Sequence, residues 1–432
     1  MDSLNLSCQG ESHISSGKVC QDYSYSKIYE DGLAIAVVCD GHGGKRYFRS
    51  DVGARIAAEV TDRKIRTFVE EAAPLLLKGL PFGQIETIST QIEKNDFAKQ
   101  SEIERAFRRL AGSIIFEWDS EVKAHAATTP IKEEEIIDLE DRWINEFNSG
   151  INLEKVYGCT LIACVYTPEF WFAFQVGDGK CFAVDDTGEW SEPIPWDERC
   201  FLNKTTSICD NDAVNEFRFC YDGTGSCPCA IILGSDGIDD SFGTPENQAN
   251  FYVQILKSVA TVGLDATINE IESTLPQLSK IGSQDDMSLA MLFNYQKMRD
   301  IYPQLIGWQI KNVERQIQEE DEKLETARQI QKSLEDISHP TRQNQIDLQY
   351  ANADEKRASD AKVRLEGRLN SLMTELEETR QKDSSRSCST LDNPNVTDEN
   401  FNDENKTDSI DSAKSENGGG LTDNSLVSDL TI

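Results

Sequence analysis

Positive charge is scarce in this sequence, and long apolar runs are missing. The 432 residues carry 43 lysines and arginines against 76 aspartates and glutamates, a formal net charge of -33. A field of this sign repels nucleic acids and anionic membranes, so neither is expected as a general partner. No apolar stretch approaches membrane-spanning length and no charged-then-apolar leader begins the chain, which predicts a cytoplasmic protein.

Paired Cys-x-x-Cys spacing is absent, although the chain has 12 cysteines. Most of them, such as Cys39 and Cys159, fall in apolar strand-like runs, which is typical of buried reduced thiols in a cytosolic protein. A structural zinc ion or a disulfide at Cys220, Cys227 and Cys229 is the less favoured alternative.

The composition changes twice along a chain that is too long for one ordinary core. Residues 1–297 alternate strand-like and helical patterns, which predicts a layered α+β domain of catalytic size. Residues 301–382 are rich in Glu, Gln, Lys and Arg, which predicts a helical arm. Residues 383–432 are mostly small and polar with almost no aromatics, so a disordered acidic tail is expected there.

Within the first part, apolar runs predict strands and apolar residues at helical spacing predict helices. The expected strands are 33–39, 160–166, 171–176, 181–184, 230–234 and 287–293, and the expected helices are 46–69, 102–124, 133–147 and 251–275.

The arm at 301–382 has the apolar spacing of a helical hairpin or a coiled coil. Its seam runs from Ile306 to Leu334, is interrupted at Pro340, and resumes from Leu365 to Leu376. Two antiparallel helices folding on each other are one interpretation, and one interrupted coil joining two chains is the other. Either would offer a surface for a protein partner or for self-association.

Four acidic segments, far apart in the chain, each border an apolar run with the character of a buried strand. Aspartates beside glycine at strand ends deliver oxygen ligands to a hard divalent cation. Asp-Gly is also common turn chemistry, but turns alone do not explain four such segments beside strands. The segments are CQD (20–22), DGHGG (40–44), SDGIDD (235–240) and GSQDDMS (282–288).

Carboxylates gathered at one point repel one another, and their pKa values rise unless cations neutralise them. The segments therefore predict bound metal, and oxygen ligands without a histidine-rich motif favour Mg²⁺ or Mn²⁺ over zinc. Two such ions can activate a bridging water towards phosphorus. Asp40 is placed to bridge both ions and the Gly41 carbonyl to reach one. Asp236 and Asp285 would complete the second, and His42 would protonate a leaving oxygen.

In order and spacing, these segments resemble the metal-dependent protein phosphatases of type 2C. The resemblance spans about residues 8–295 and includes GCT (158–160) and VGDG (176–179). It implies a four-layer α-β-β-α sandwich with two central antiparallel sheets and a dinuclear Mn²⁺/Mg²⁺ centre at one end. It also implies hydrolysis of phosphoserine and phosphothreonine in protein substrates, without a covalent enzyme intermediate.

The resemblance also implies a role for each matching residue. Asp40 corresponds to the bridging ligand, Gly41 to the carbonyl ligand and His42 to the general acid. The other implied metal ligands are Asp236 and Asp285, which bind directly, Asp22, which acts largely through metal-bound waters, and Asp178 and Asp240, which can hold a third, weaker ion.

Several positions depart from the family pattern. The family commonly has an arginine five residues before the first-motif aspartate, where it binds the substrate phosphate, and here that position is Gly17. Lys18 or His13 could substitute, although a lysine lacks the guanidinium fork. Gln21 replaces the usual acidic residue, and Asp286 stands where many relatives have asparagine. These departures fit a divergent, bacterial-like branch.

The favoured hypothesis is therefore an active phosphatase of phosphoserine and phosphothreonine proteins. A catalytically weak or inactive phosphatase-like module, acting as a binding or scaffolding protein through its helical arm, is the alternative. The missing arginine favours this alternative, and the retained Asp40, Asp236 and Asp285 oppose it.

Overall fold

The computed structural model describes residues 1–88, 101–136, 139–201 and 204–389. The chain divides into two compact units, and the boundary falls between Leu305 and Ile306. The strands, all in the first unit, are β1 (Asp2–Cys8), β2 (Tyr23–Ile28), β3 (Ala34–Cys39), β4 (Gly83–Ile85), β5 (Leu161–Tyr166), β6 (Trp171–Val176), β7 (Lys180–Val184), β8 (Trp190–Ser191), β9 (Arg218–Asp222), β10 (Ala230–Gly234) and β11 (Met287–Phe293).

These strands form two antiparallel sheets. One has five strands in the order β1-β11-β10-β7-β8, and the other has six in the order β2-β3-β5-β6-β9-β4. Strand β3 has both faces buried, which explains its uninterrupted apolar sequence. Ile35 and Val37 belong to the cluster that includes the helix residue Phe107, whereas Ala36 belongs to the cluster shared with Leu233 of the other sheet.

Helices cover the outer faces of both sheets. On the five-stranded sheet, the ring of Tyr252 lies 5.2 Å from that of Phe182 in β7. The predicted four-layer α-β-β-α sandwich with two antiparallel sheets is therefore confirmed. The helices of this unit are α1 (Glu11–Ser16), α2 (Ser50–Glu71), α3 (Ala73–Leu77), α4 (Glu102–Thr128), α5 (Glu133–Ile136), α6 (Asp141–Asn148), α7 (Leu153–Val156), α8 (Ala213–Glu216), α9 (Asp236–Asp239), α10 (Pro245–Val262), α11 (Leu264–Ile281) and α12 (Tyr295–Asp300), with a 3₁₀ turn at Lys45–Tyr47.

Two of the expected helices are each divided into two in the structure. The helix expected at 251–275 is the pair α10 and α11, because Gly263 between them has φ 89°, a left-handed conformation outside the helical region. The helix expected at 133–147 is divided into α5 and α6, with residues 137 and 138 between them outside the described part of the chain.

The described part of the second unit consists of two long helices. Helix α13 (Tyr302–Glu335) crosses the boundary into it, and α14 (Arg342–Ser389) follows the turn that contains Pro340. The helices run antiparallel, because Lys362 pairs with Asp321 and Arg328 pairs with Glu355. Helix α14 extends past the expected boundary at residue 382, and the rest of the expected disordered tail, residues 390–432, lies outside the described residues.

None of the helices in the described ranges is both long and apolar enough to cross a membrane.

Two helix glycines provide a matched test of the packing around α2. A Cβ added at Gly53 would lie 1.8 Å from the carbonyl oxygen of Tyr157, whereas at Gly112 its nearest neighbour is Val214 Cγ2 at 3.9 Å. Alanine in a helix stabilises by about 0.5–1 kcal/mol over glycine where space allows. We expect Gly112→Ala to raise the thermal midpoint and Gly53→Ala to lower it, at a cost of about 1–3 kcal/mol.

Thermal unfolding followed by circular dichroism measures both variants. A Gly53→Ala protein that is as stable as Gly112→Ala would contradict the close approach of α2 to the Tyr157 carbonyl.

Candidate active site

The predicted acidic residues lie just beyond the ends of strands in both sheets. Asp22 precedes β2 and Asp40 follows β3. Because Tyr23 pairs with Cys39, both aspartates lie at the same end of this strand pair in the six-stranded sheet. In the other sheet Gly234 pairs with Leu289, which places Asp236 beyond β10 near the start of β11.

Asp40 and Asp236 interact directly, with their carboxyl groups within hydrogen-bond reach of each other. Burial, and then the charges of Asp236 and Asp22, raise the pKa of Asp40 well above its usual range. Burial raises the pKa of Asp236 to about 6, and Asp178 and Asp285 add to the effect. The pair therefore costs free energy when both groups are ionised without a cation.

Two carboxylate oxygens in this cluster are orphaned. Asp22 Oδ2 and Asp236 Oδ1 are buried and have no hydrogen-bond partner. Burial, followed by the charge of Asp286, raises the pKa of Asp22 as well, against a hydrogen bond with Ser235. A hard divalent cation would satisfy the oxygens and neutralise the charge, so these donors fit Mn²⁺ or Mg²⁺.

The donors do not form a closed ligand shell. Within the ranges that the structure describes, no three histidine, cysteine, aspartate or glutamate side chains are close enough together to hold a metal ion as they stand. Asp285 and Asp240 are exposed to solvent. The fit to a metal ion therefore rests on the chemistry of the donors and on the orphaned oxygens.

The two positions predicted for a third ion interact electrostatically with this cluster. Asp178 follows β6, and burial raises its pKa despite a hydrogen bond with Thr205. The charge of Asp240 contributes to that shift, and burial also raises the pKa of Asp240 itself. These two aspartates are therefore electrostatically linked to each other and to Asp236.

Gly41 occupies a position that no other residue could fill without moving the backbone. A Cβ there would lie 2.3 Å from the carbonyl oxygen of Gln21. The Gln21 side chain also ties this loop to its surroundings, since Nε2 donates to Ser50 Oγ at 2.6 Å and to the His42 carbonyl at 3.3 Å. The segments bearing Asp22 and Asp40 are thus held together through Gln21.

The imidazole of His42 is held from several sides. Its Nε2 lies 2.7 Å from Ser207 Oγ, and its ring lies edge-on to Tyr47 with the centroids 4.7 Å apart. A Cβ on Gly158 would lie 2.9 Å from His42 Cδ2, so a glycine is needed beside the ring. Burial lowers the pKa of His42 to about 4, against the opposing charge of Asp210. The ring is therefore neutral at pH 7.

Both predicted phosphate-binding residues have partners within the protein. His13 is buried, and its Nδ1 lies 2.8 Å from Asp286 Oδ2. Lys18 Nζ donates to the Gly43 carbonyl at 3.0 Å. A role for either residue in holding a substrate phosphate remains a prediction.

Gly17, at the position of the family's arginine, has a structural reason to be glycine. It ends helix α1 with φ 71°, and its N–H bonds to the carbonyl of Ile14. A residue with a side chain would be strained in this left-handed conformation. The conformation of this residue therefore favours glycine over arginine at position 17.

Asp286 links three parts of the chain beneath the site. Its carboxylate accepts hydrogen bonds from His13, from the Gly10 N–H at 2.7 Å and from the Gln21 N–H at 2.6 Å. Burial acts to raise its pKa, but these hydrogen bonds outweigh burial and lower it. Sequence reasoning noted Asp286 only as a departure, and missed Ser207 because it lies in none of the motifs.

The cysteines have individual partners or lie in the core. Every cysteine from Cys8 to Cys229 is a free thiol. The Sγ atom of Cys229 donates to Asp186 at 3.0 Å, and that of Cys227 donates to the Thr167 carbonyl at 3.7 Å. Cys220 is fully buried in the core between the sheets.

Comparison with known proteins identifies the family. The profile of the protein phosphatase 2C family matches residues 9–271, and the chain belongs to this family. No match was found among curated proteins.

Solved structures of low sequence identity align with about two thirds of the chain. The serine/threonine phosphatase Stp1 from Staphylococcus aureus is 12% identical, with 67% of this chain and 94% of that chain covered and a TM-score of 0.36. PppA from Pseudomonas aeruginosa is 14% identical, with coverages of 67% and 96% and a TM-score of 0.37. A sex-determining protein from C. elegans is 14% identical, with coverages of 70% and 67% and a TM-score of 0.38.

The raised pKa values predict how metal binding depends on pH. Protons compete with Mn²⁺ for the acidic cluster near pH 6, where Asp236 titrates, so the ion should bind more tightly at higher pH. A folded-state pKa above the unfolded value also means that the metal-free fold loses stability as pH rises through 6. We expect Mn²⁺ to raise the thermal midpoint more at pH 7.5 than at pH 5.5.

Thermal scans with and without Mn²⁺ test this expectation, with Asp236→Asn as the variant that loses the shift. Asp360→Asn, an exposed position in α14, makes the same charge change outside the site and should keep it. If Mn²⁺ shifted the thermal midpoint equally at the two pH values, or equally in the two variants, the acidic cluster would be ruled out as the binding site.

Proposed function

We propose that this chain is a metal-dependent phosphatase that hydrolyses phosphoserine and phosphothreonine in proteins. The observation that supports this most is the Asp40–Asp236 pair, with its raised pKa values and an orphaned oxygen, on a chain of the protein phosphatase 2C family. A pair of buried carboxylates that resists ionisation is suited to holding cations.

Two ions would be held by Asp40, Asp236 and Asp285 with the Gly41 carbonyl, and Asp22 would act through water. When bound, Mn²⁺ or Mg²⁺ would lower the pKa of a water molecule and neutralise the phosphate. Asp178 and Asp240 would serve a third, weaker ion, since each is electrostatically coupled to the main pair.

His42 would give its proton to the leaving oxygen of the serine or threonine. Its low pKa makes it neutral before substrate arrives, so it must gain a proton as the phosphoester binds. The negative charge of a phosphate next to the imidazole favours that protonated form. The proton is then weakly held, which makes His42 a strong acid towards an alkoxide.

A catalytically weak or inactive module is the second candidate function. It is favoured by Gly17 at the arginine position and by the protein contacts of His13 and Lys18, the two residues that could replace it. In that case the helical arm, residues 301–382, would carry the function by binding a protein partner or a second copy of the chain. Sedimentation of the full chain tests self-association, and a monomer at all concentrations would leave only the partner.

Asp40→Asn and Asp236→Asn should each reduce phosphate release more than about 100-fold, because loss of a ligand exceeds the usual effect of an outer-shell residue. The measurement is phosphate release from phosphoserine, phosphothreonine and phosphotyrosine peptides with Mn²⁺, Mg²⁺ or a chelator. Asp360→Asn is the matched control and should retain activity. Full activity in Asp40→Asn would refute the proposal, and calorimetry without Mn²⁺ binding would favour the inactive module.

His42→Ala should lower kcat by about 10²- to 10⁴-fold for a phosphoserine peptide, whose leaving alkoxide needs a proton. The loss should be much smaller for p-nitrophenyl phosphate, whose leaving group departs without one. An equal loss with the two substrates would assign His42 a role other than general acid.

A further inference from the structure

The hydroxyl of Ser207 lies at the centre of a small buried network beside His42. Its Oγ is 2.7 Å from His42 Nε2, 2.9 Å from the Cys159 carbonyl oxygen and 3.1 Å from Cys209 Sγ. The segment is anchored, because the Ser207 N–H bonds to Asp210 Oδ2 at 3.0 Å and the Ile208 N–H bonds to the Cys159 carbonyl at 3.1 Å. Ser207 is therefore fixed in place before any substrate binds.

The hydrogen bonds that Ser207 can make determine which ring nitrogen of His42 carries the proton. A hydroxyl has one proton and two lone pairs, and a backbone carbonyl can only accept. We place its proton between Oγ and the Cys159 oxygen, where it fills that contact, and the short contact with His42 is then filled by an N–H from Nε2. If the Ser207 proton pointed to His42 instead, Ser207 Oγ and the Cys159 carbonyl oxygen would lie 2.9 Å apart with no proton between them.

The other ring nitrogen of His42 has no such partner. Among the residues that the structure describes, the ring's hydrogen bond is the one from Nε2 to Ser207. A ring turned over about χ2 would bring carbon to the Ser207 contact in place of Nε2 and lose that hydrogen bond. The ring therefore keeps one nitrogen bonded to the protein and the other available.

We propose that Ser207 is a positioning residue that holds the imidazole proton of His42 on Nε2 and so makes Nδ1 the nitrogen that exchanges a proton with the leaving oxygen. This inference rests on the proposed phosphatase function for its catalytic consequence. The tautomer itself is a property of the protein without substrate.

The proton transfers balance as follows in the proposed reaction. The bond between phosphorus and the serine oxygen breaks with its electron pair on that oxygen, which takes the proton from Nδ1 of the imidazolium. His42 returns to the neutral form with its Nε2–H still bonded to Ser207. The attacking water adds its oxygen and one hydrogen to phosphorus, and its second proton is released to solvent, from which His42 is reprotonated.

Nitrogen-15 NMR of the full chain labelled at histidine tests the tautomer directly, without metal and at pH 8, where an ordinary imidazole is neutral. The chain has four histidines, and His42→Asn identifies the resonances of His42. We expect a protonated Nε2 and an unprotonated Nδ1. In Ser207→Ala, exchange of the Nε2 proton with water should be about 3- to 10-fold faster, the effect of losing one hydrogen bond.

Ser207→Thr retains the hydroxyl and should restore slow exchange, and the exposed Ser149→Ala is the matched control that should change nothing. A protonated Nδ1 in the unmodified chain, or unchanged exchange in Ser207→Ala, would overturn the proposal. These outcomes do not depend on activity, so they separate this inference from a failure of the proposed function.

Kinetics on the phosphoserine peptide then test the catalytic consequence. Ser207→Ala should lower kcat by about 3- to 10-fold with KM unchanged, and should have no further effect in a His42→Ala background. Additive losses in the double variant would show that Ser207 acts independently of His42, and would overturn its assignment as a positioning residue.

Discussion

Repulsion between carboxylates at the ends of the sheets is the constraint on which this site depends. Asp40 and Asp236 follow strands whose residues are all buried, and Asp22 is itself buried, so each carboxyl group lies in a desolvated position. Burial is the largest cause of every raised pKa in this cluster, and the mutual charges of the carboxylates add to it. The fold therefore holds together groups that would separate if the strands allowed it.

Polar links between neighbouring loops oppose that separation. Asp286 binds the backbone N–H groups of Gly10 and Gln21, and Gln21 in turn binds Ser50 and the His42 carbonyl. These links join the segments that bear Asp22, Asp40 and His42, and most of them are to backbone atoms. They fix the positions of the loops, so the side chains of the site can be crowded without displacing one another.

The parts of the fold predicted from the sequence are those with a strong local signal. Strands β3, β10 and β11 are buried on both faces, and their apolar runs are easy to recognise. Strands β1 and β2 each have one buried residue in a short polar sequence, and the sequence analysis does not predict them individually. The partner of His13 and the position of Ser207 depend on contacts between residues far apart in the chain, which a single sequence does not reveal.

The loss of the family's arginine follows from the same local geometry. Helix α1 ends at Gly17 in a left-handed conformation, and the helix places His13 where Asp286 can bind it. An arginine at position 17 would strain that turn, and a change that relieved the strain would disturb the Asp286 network beneath Asp22. Where the family pattern has an arginine, this chain therefore has a turn next to the hydrogen bonds of Asp286. His13 and Lys18 each have a hydrogen-bond partner within the protein, and in the proposed phosphatase bound cations would add positive charge beside the phosphate.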